Sequence, residues 1–403
     1  MKILLVSPWL PWPPFGGGLI RILETLHFLS RHHRITLVAP VRRGETVGTD
    51  SPLWDVCERI ETASLAPGAK GELGRILRGT CQGLSSMEAV YWHPDLARHI
   101  RDLTRAEDFD IVQIEFSYMA HYRQAVSPTS HAKTVLSMHN VESIRFAREL
   151  QFAPWGKRRV GLLWDHYLFR LWEQKAIRSF DGILATSNME RDWIQAQAPE
   201  AAVSLMPNGV NVSHFQNMPA SAKTRSIVFT GLMNYPPNVD AVMWFCHDVW
   251  PTLRQHIPDL QFNIVGRSPQ PKVVALGRQP GVHVTGEVPD TRPYVTEALA
   301  LVVPLRSGGG TRLKILEAMA MGCPVISTRL GAEGLDVVNG ESILLADRPD
   351  ELVQQVQLLL QDATLACRIG QAGQRLVAKQ YDWQVCLRGV EQLYDTLIGS
   401  RIV

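Results

Sequence analysis

The chain has 403 residues, of which 45% are hydrophobic and 20% charged, with a formal net charge of +2 at pH 7. These proportions are typical of globular proteins and exclude a disordered or fibrous chain, and the near-neutral balance gives no broad basic surface for nucleic acid. At roughly 100–200 residues per domain, the length predicts two or three domains.

The cysteines and the N-terminus bear on the cellular compartment. Six cysteines are scattered singly, with no Cys-x-x-Cys pair, which disfavours a zinc ribbon or a disulfide framework and favours a reducing compartment. No apolar run approaches the roughly 18–20 residues that span a bilayer. Lys2 precedes the apolar run Ile3–Val6, but prolines follow it with no small-residue cleavage site. We therefore expect a soluble, cytoplasmic protein.

In the first half of the chain, short apolar runs alternate with helix-periodic segments. Ile3–Val6 is followed by glycines, by a helix-periodic segment from about Leu19 to Ser30, and by the apolar run Ile35–Val38. This order predicts a strand–helix–strand unit of a parallel sheet. Between residues 44 and 105 we predict only loops and helices. Further buried strands are predicted at Ile111–Ile114, Thr134–Met138, Ile183–Ala185 and Val203–Leu205.

A second alternating series begins near residue 226. Its predicted strands are Ile227–Thr230, Gln261–Val265, Val282–Val284, Leu301–Val303, Pro324–Ser327 and Ser342–Leu345. Its predicted helices are Val239–Gln255, Thr291–Leu299 and Thr311–Met321, with three more closing the chain. The two series predict an α/β fold of two doubly wound domains joined near Met206–Pro219. Ligands in such sheets bind beyond the carboxyl ends of the strands, so two facing domains predict an active site in the cleft between them.

Three glycines, Gly16–Gly18, follow the first predicted strand and open a helix. They suit either a tight turn with close packing or a helix N-terminus whose N–H groups bind phosphate or carboxylate. A dinucleotide-binding fingerprint would need glycine at position 21, which is Arg21. It would also need an acidic residue where the chain reads Val38-Ala-Pro40. A dehydrogenase is therefore disfavoured.

A second glycine-rich loop, Gly308–Gly310, precedes a helix whose first turns carry Arg312, Lys314 and Glu317. Cations at a helix N-terminus are unfavourable unless an anion binds there, so this local conflict indicates a functional site. The glycines would let the backbone approach a diphosphate that Arg312 and Lys314 neutralise. Glu317 would accept hydrogen bonds from ribose hydroxyls. The alternative is a solvated helix start with ordinary turn glycines.

Polar residues also follow other predicted strands. His139 and Glu142 come just after the strand at 134–138, and Glu115 follows the strand at 111–114. A lone histidine is more often structural, but one at a carboxyl strand end is a candidate for catalysis. The stretch Pro207-Asn208-Gly-Val210 indicates first an interdomain turn and second a ligand contact. Glu287 suits either a loop or a contact with a nucleotide base.

Together these stretches resemble glycosyltransferase family 4, whose GT-B fold consists of two facing Rossmann-like domains. The resemblance covers nearly the whole chain and is closest to bacterial sugar transferases associated with exopolysaccharide assembly. It implies an N-terminal domain of residues 1–206, completed by a C-terminal helix at about 385–403, and a C-terminal domain of residues 207–384. The stretches that carry it, in the family's order, are the N-terminal strand with its Pro- and Gly-rich loop, His139-Asn-Val-Glu142, Pro207-Asn-Gly-Val210, Phe229-Thr-Gly-Leu-Met-Asn-Tyr-Pro-Pro-Asn238 and Gly309-Gly-Thr-Arg-Leu-Lys-Ile-Leu-Glu-Ala-Met-Ala320.

The resemblance implies transfer of a sugar, with retention, from a nucleotide-diphosphate sugar to a hydroxyl acceptor in polysaccharide, glycolipid or related glycoconjugate synthesis. The expected catalytic residues are His139, Arg312 and Lys314, with Glu115 and Glu142 on the acceptor side. Because Arg312 and Lys314 would act where other enzymes use a metal, we expect no divalent metal and no other cofactor. The expected donor-binding residues are Gly17, Gly18, Asn208, Gly231, Glu287, Gly308, Gly309, Gly310, Thr311, Arg312, Lys314 and Glu317.

Two positions depart from the family's pattern. Gly309 stands where the family has a glutamate eight positions before the ribose-binding one, and Leu232 stands where an arginine often follows a glycine. Arg312 and Lys314 can supply the missing positive charge, and backbone amides can replace the glutamate. Two alternatives stay open. One is a sugar-nucleotide epimerase or hydrolase on the same fold, and the other, which the missing glutamate keeps open, is a catalytically degenerate scaffold subunit.

One segment bears on partners other than the donor. Trp155-Gly-Lys-Arg-Arg159 leads into Leu162–Trp172, an aromatic segment with basic flanks. Such a segment suits either a membrane interface, where it would present a lipid-linked acceptor, or packing of its aromatics on the sheet. The expected partners are thus a nucleotide-sugar donor and a carbohydrate or lipid-linked acceptor, without nucleic acid. Peripheral association with the inner face of the cytoplasmic membrane stays open.

Overall fold

The computed structural model describes residues 1–14, 16–42, 45–65, 86–152, 155–216, 223–308 and 312–399. The chain divides into two compact units. The first contains Met1–Pro207 and Leu387–Val403, and the second contains Asn208–Cys386. No helix in the described parts of the chain is long and apolar enough to cross a membrane.

A parallel sheet forms the centre of the first unit. Its order, β3-β2-β1-β4-β5-β6-β7, reverses direction between β1 and β4, as in Rossmann-like folds. Ile3 of β1 pairs with Ile35 of β2 and Ile111 of β4, and all three are buried, which explains why the central strands are runs of Val, Ile and Leu. The strands described are β1 (Lys2–Val6), β2 (Arg34–Arg42), β3 (Arg59–Leu65), β4 (Ile111–Glu115), β5 (Lys133–Ser137), β6 (Gly182–Ala185) and β7 (Ala202–Leu205).

Helices cover this sheet, and the last helix of the chain joins them. A Cβ at Gly389 would lie 2.0 Å from the carbonyl oxygen of Leu205 at the end of β7, so only glycine lets that helix approach so closely. The α-helices described are α1 (Gly17–Leu29), α2 (Ser86–Tyr91), α3 (Pro94–Ala106), α4 (Glu142–Phe152), α5 (Lys157–Ile177) and α6 (Asn188–Gln197), with 3-10 helices at Pro52–Asp55 and Ser117–Ala125.

The strand β3 corrects the prediction that residues 44–105 hold only loops and helices. Arg59–Leu65 pairs with β2 in parallel and forms one edge of the sheet. As an edge strand it is half-exposed, and its alternation of polar and apolar residues lacks the continuous apolar run of a central strand. A search for buried runs therefore overlooks it.

The second unit repeats the architecture. Its sheet order, β10-β9-β8-β11-β12-β13, reverses between β8 and β11, and the pairing is parallel throughout. The strands described are β8 (Ser226–Thr230), β9 (Gln261–Val265), β10 (Val282–Gly286), β11 (Ala300–Val303), β12 (Val325–Ser327) and β13 (Leu344–Leu345). The helices that follow in chain order are α7 (Val212–Gln216), α8 (Pro236–Trp244), α9 (Trp250–His256), α10 (Pro271–Val274), α11 (Arg292–Glu297), α12 (Leu313–Ala320), α13 (Pro349–Gln361), α14 (Ala363–Gln380), α15 (Trp383–Cys386) and, in the first unit, α16 (Arg388–Gly399), with a 3-10 helix at Ala275–Arg278.

Several predicted elements of this half change in detail. Where a single helix was predicted over Val239–Gln255, the structure has three successive elements: α8, a π-helical turn at Phe245–Val249, and α9. Pro251 lacks a backbone N–H, and the widened turn before it accommodates that loss. The strand predicted at Ser342–Leu345 shortens to β13, because the Ser342 hydroxyl closes a turn by accepting from the Val338 N–H. The closing helices described number four, not three.

Candidate active site

The first unit gathers polar side chains at the carboxyl edge of its sheet, beside the point where the strand order reverses. Glu115 is the last residue of β4, His139 lies two residues beyond β5, and Gly17 and Gly18 begin α1 just after the loop that leaves β1. The carboxyl edge at a reversal of strand order is where doubly wound sheets bind ligands. These predicted site residues therefore lie at the edge of the sheet where this type of fold binds its ligands.

His139 and Glu115 form a buried pair. The His139 Nε2 lies 2.8 Å from Glu115 Oε2, with side chains only 6% and 1% exposed. Burial lowers the pKa of His139, against the opposing pull of Glu115. Burial by itself would raise the pKa of Glu115, but hydrogen bonds from His139 and Gln113 and the nearby Arg21 charge lower it overall. A carboxylate can only accept, so Nε2 carries the proton and Nδ1 is left as an acceptor.

Further buried groups orient this pair. The Gln113 amide donates to Glu115 Oε1, and the Tyr394 hydroxyl of α16 donates to Gln113 Oε1, each across 2.5 Å. Tyr394 and Gln113 are both fully buried. The C-terminal helix is thus connected through three hydrogen bonds to the imidazole of His139.

Gly18 lets the N-terminus of α1 approach this imidazole. The ring of Phe116 stacks on His139 with centroids 3.6 Å apart, and a Cβ at Gly18 would lie 2.6 Å from Phe116 Cζ. That hypothetical Cβ would also be 3.6 Å from His139 Nδ1. Any side chain at position 18 would therefore press on the Phe116–His139 stack.

The second unit has its own polar cluster, at the carboxyl end of β8 beside the reversal of strand order. The Lys314 Nζ donates to Asn238 Oδ1 across 3.0 Å and lies 3.9 Å from the centre of the Phe229 ring. The Asn238 amide in turn donates to the Leu232 carbonyl across 2.9 Å. A Cβ at Gly231 would lie 2.9 Å from Lys314 Nζ, so glycine is required at this approach. The Lys314 Nζ thus lies beside Gly231, the residue just before Leu232, where the family often has arginine.

The charges on α12 are not fixed at neutral pH. Burial, reinforced by the Arg312 charge, lowers the pKa of Lys314 to about 7, and Glu317 opposes that shift. Burial raises the pKa of Glu317 to about 6, although Lys314 acts in the opposite direction. With this pKa, the Lys314 side chain is partly neutral at pH 7 in the free protein.

Arg312 is the N-cap residue of α12, just before the first turn in which the sequence placed it. Its guanidinium lies beside Gly308. A Cβ added at Gly308 would lie 3.2 Å from Arg312 Nη2 and 3.2 Å from Pro237 Cγ. Gly308 has φ +106°, a left-handed conformation that favours glycine. The predicted donor-binding residues Gly309, Gly310 and Thr311 lie outside the described residues.

The remaining predicted residues differ in their surroundings. Glu287 is exposed and follows β10, and Asn208 is half-buried and is the first residue of the second unit. Glu142 is buried as the first residue of α4, where its carboxylate accepts from Arg145 and its N–H donates to Glu173 across 2.9 Å.

Four residues at these two clusters were not assigned a role from sequence: Arg21, Gln113, Tyr394 and Asn238. Arg21 is fully buried on α1, and a charged residue on the apolar face of an amphipathic helix is a detectable anomaly. Asn238 closes the Phe229–Asn238 stretch that was quoted for its resemblance. Gln113 and Tyr394 are 281 residues apart, and no local pattern links them.

Two Rossmann-like units, each with a polar cluster at the carboxyl end of its sheet, have the architecture of the GT-B fold. The model of glycosyltransferase family 4 matches residues 15–214, and the model of glycosyl transferases group 1 matches residues 224–362. The chain belongs to glycosyltransferase family 4 and is a glycosyltransferase.

Two relatives among known proteins cover much of the chain. An uncharacterized 44.6 kDa protein of the cps region of Klebsiella pneumoniae is 22% identical over 357 residues, 86% of this chain and 87% of that protein. A phosphatidyl-myo-inositol mannosyltransferase of Mycobacterium tuberculosis is 28% identical over 235 residues, 54% of this chain and 60% of that protein.

Two solved structures share the fold at low sequence identity. Sucrose-phosphate synthase from Thermosynechococcus elongatus has a TM-score of 0.74 at 17% identity, covering 99% of this chain and 100% of that one. Anabaena HepE in complex with UDP and glucose has a TM-score of 0.67 at 14% identity, covering 97% of this chain and 98% of that one.

Proposed function

We propose that this protein transfers a sugar, with retention, from a nucleotide-diphosphate sugar to a hydroxyl acceptor in polysaccharide or glycolipid synthesis. The observation that carries the proposal is the position of the Lys314 ammonium, beside Gly231 at the carboxyl end of β8 and on the same helix as Arg312 and Glu317. A cation beside a glycine suits a diphosphate, because no side chain there keeps the phosphate oxygens away from the backbone. The solved structure of Anabaena HepE with UDP and glucose supports the same class of donor.

In the proposed reaction, the diphosphate leaves the sugar with growing negative charge. Arg312 and Lys314 stabilise that charge from fixed positions, which requires little reorganisation at the moment of reaction. Binding the anion favours the protonated form of Lys314, so the group that is partly neutral in the free protein becomes a full cation in the complex. These two cations take the role that a divalent metal has in other transferases, and we propose that no metal is required.

Glu317 binds the donor ribose in this proposal, and His139 acts on the reacting sugar. The sugar develops positive charge as the diphosphate departs, and the acceptor Nδ1 of a neutral imidazole backed by the Glu115 carboxylate suits such a centre. Glu115 acts through His139 as a positioning residue. Donor binding belongs mainly to the second unit, and acceptor binding belongs mainly to the first.

We further propose a lipid-linked or carbohydrate acceptor and a reducing, cytoplasmic location. The mycobacterial relative is named for transfer to a phosphatidyl-inositol lipid, which supports a lipid acceptor. The cysteines described, at 57, 246, 323, 367 and 386, form no disulfide among themselves, which suits a reducing compartment. The relative from a cps region supports a role in surface polysaccharide synthesis.

A thermal-shift screen against UDP-, GDP- and ADP-sugars tests the donor class, because a bound ligand raises the melting temperature by mass action. The hit is then incubated with and without acceptor, with EDTA present, and the products are analysed. We expect glycoside formation that requires acceptor and resists EDTA. Free sugar or an epimerised donor as the main product would instead show a hydrolase or epimerase.

A further inference from the structure

Helix α5 (Lys157–Ile177) of the first unit presents an apolar face to solvent. Five large apolar side chains lie at a spacing of three or four residues along about three turns, and each is 48% to 65% exposed. Residues at this spacing share one side of a helix. They are Val160, Leu163, Trp164, Tyr167 and Leu171, and we call them the α5 stripe. Soluble surfaces expose single apolar residues routinely, but a contiguous stripe marks an interaction site.

The charges beside the α5 stripe are basic. Arg170 and Lys175 are exposed along the same helix, and Arg178 is exposed just after its end, whereas Asp165 is half-buried and Glu173 is buried. Just before the helix, Trp155 is 86% exposed, and the Arg159 guanidinium lies 4.5 Å from the centre of its ring. The described exposed side chains of α5 therefore combine apolar and aromatic groups with positive charge and carry no acid.

The apolar surface continues from the stripe into a cavity. A space of about 700 Å³ lies between the C-terminal half of α5 and the 3-10 helix Ser117–Ala125. Leu171 belongs to both the stripe and the cavity wall, which also includes Trp92, Leu168 and Trp172. His121 in this wall is neutral, since burial lowers its pKa to about 3. The charged lining groups are Lys175, which is exposed, and Arg123, which is half-buried.

We propose that the α5 stripe docks this protein on an anionic lipid bilayer, with its apolar side chains at the headgroup–acyl boundary and its basic side chains on lipid phosphates. Interfacial helices have this composition: Trp and Leu on one face, Lys and Arg beside them, and too little apolar length to span the membrane. Long basic side chains extend to the headgroups while their stems contact apolar surface. The charge favours anionic over zwitterionic lipid.

The inference rests on the proposed function only in giving the enzyme access to a lipid-linked acceptor, and its test needs neither donor nor acceptor. The full chain is sedimented with vesicles of phosphatidylcholine alone and with vesicles containing phosphatidylglycerol as a second lipid. We expect binding to the mixed vesicles, at least tenfold weaker binding to phosphatidylcholine alone, and weakening as salt screens the charges.

Two matched pairs of variants locate the surface. The double variant Leu163→Gln/Trp164→Gln and the single variant Arg170→Glu should each weaken binding to the mixed vesicles about tenfold. The control variants Leu358→Gln and Arg368→Glu lie at exposed positions of α13 and α14. They should change binding to the mixed vesicles less than twofold. Melting temperature and nucleotide-sugar affinity, measured on every variant, should match those of the wild type.

Three outcomes would overturn the inference: no vesicle binding by the wild type, equal losses in test and control variants, or a dimer that the α5 variants dissociate without vesicle binding. The last outcome would make the stripe a contact between copies of the chain. Loss of vesicle binding with intact nucleotide-sugar affinity leaves the proposed transfer reaction standing. Vesicle binding by a protein that binds no nucleotide sugar would instead count against the proposed function.

Discussion

Glu115 accepts a hydrogen bond from the Nε2 of His139 across 2.8 Å, and both side chains are almost wholly buried. The strand ends of β4 and β5 bring the two residues together. The Gln113 amide donates to the Glu115 carboxylate, and the Tyr394 hydroxyl donates to Gln113 Oε1. The orientation and the tautomer of the imidazole therefore depend on the hydrogen bonds among Glu115, Gln113 and Tyr394.

We expect His139→Ala to lower kcat by at least tenfold while changing donor affinity less than threefold, because the contact strengthens as the sugar develops positive charge. Steady-state kinetics with calorimetric donor binding measures the split. Loss of binding with retained turnover would make His139 only a ground-state contact.

Tyr394→Phe tests the positioning of that histidine. The variant removes one buried hydrogen bond, which contributes about 1 kcal/mol of stability, and leaves Gln113 free to turn. We expect a severalfold fall in kcat, an unchanged KM for the donor and an altered pH profile. A loss of stability with wild-type kinetics and pH profile would assign Tyr394 a purely structural role.

Gly18→Ala should lower activity, because the new Cβ would lie 2.6 Å from Phe116 Cζ and displace the ring that stacks on His139. Gly161→Ala is the matched control, since a Cβ at Gly161 in α5 has no neighbour within 4 Å. Activity and melting temperature are measured for both. Normal activity of a folded Gly18→Ala protein would remove this loop from the site.

Arg312→Ala should weaken nucleoside-diphosphate binding by about ten- to a hundredfold, because a charge-assisted contact contributes about 1.5–3 kcal/mol. Without ligand, the melting temperature should hold or rise slightly, since a cation at a helix N-terminus is unfavourable. Arg312→Lys should recover only part of the affinity, because lysine cannot donate in a bidentate fork. Early melting with unchanged diphosphate affinity would show that the donor site is misplaced.

The pKa of Lys314 is about 7, against 10.5 for an ordinary lysine, and this difference predicts a dependence on pH. Between pH 7 and 10.5 the unfolded chain binds more protons at this position than the folded one, so this group makes stability rise with pH. Diphosphate affinity should fall over the same range, because the free protein must take up a proton to bind. Lys314→Met should flatten both trends in denaturant titrations and calorimetry. An unchanged pH dependence would contradict the assignment.

Glu317→Ala should raise the KM for the donor and lower kcat without unfolding the protein, since Glu317 is proposed to accept from the ribose hydroxyls. Glu317→Gln keeps one acceptor oxygen, so its KM for the donor and its kcat should lie between those of Glu317→Ala and those of the wild type. Calorimetry with the nucleoside diphosphate and with inorganic diphosphate separates the contacts, because only the former carries ribose. Equal affinities of Glu317→Ala and wild type for the nucleoside diphosphate would exclude the contact.

The sequence by itself determined the two α/β series and the loops that carry the polar residues. Central parallel strands are buried on both faces, so they appear as short apolar runs such as Ile111–Ile114, and glycines and polar residues mark their carboxyl ends. His139, Arg312, Lys314 and Glu317 were predicted this way as site residues, because their unusual placement is local: a histidine after a buried strand, and charges at a helix start.

Only the tertiary structure decided which of these groups meet and in what state of charge. Edge strand β3 was overlooked because half-exposed strands lack a continuous apolar run. Tyr394 reaches Gln113 only because β4 and the C-terminal helix pack together across 281 positions of sequence. The pKa values of Lys314 and Glu317 shift because folding withdraws both groups from most of the surrounding water, although each side chain stays half-buried. Burial and long-range contact depend on the whole packed unit, and no local pattern contains them.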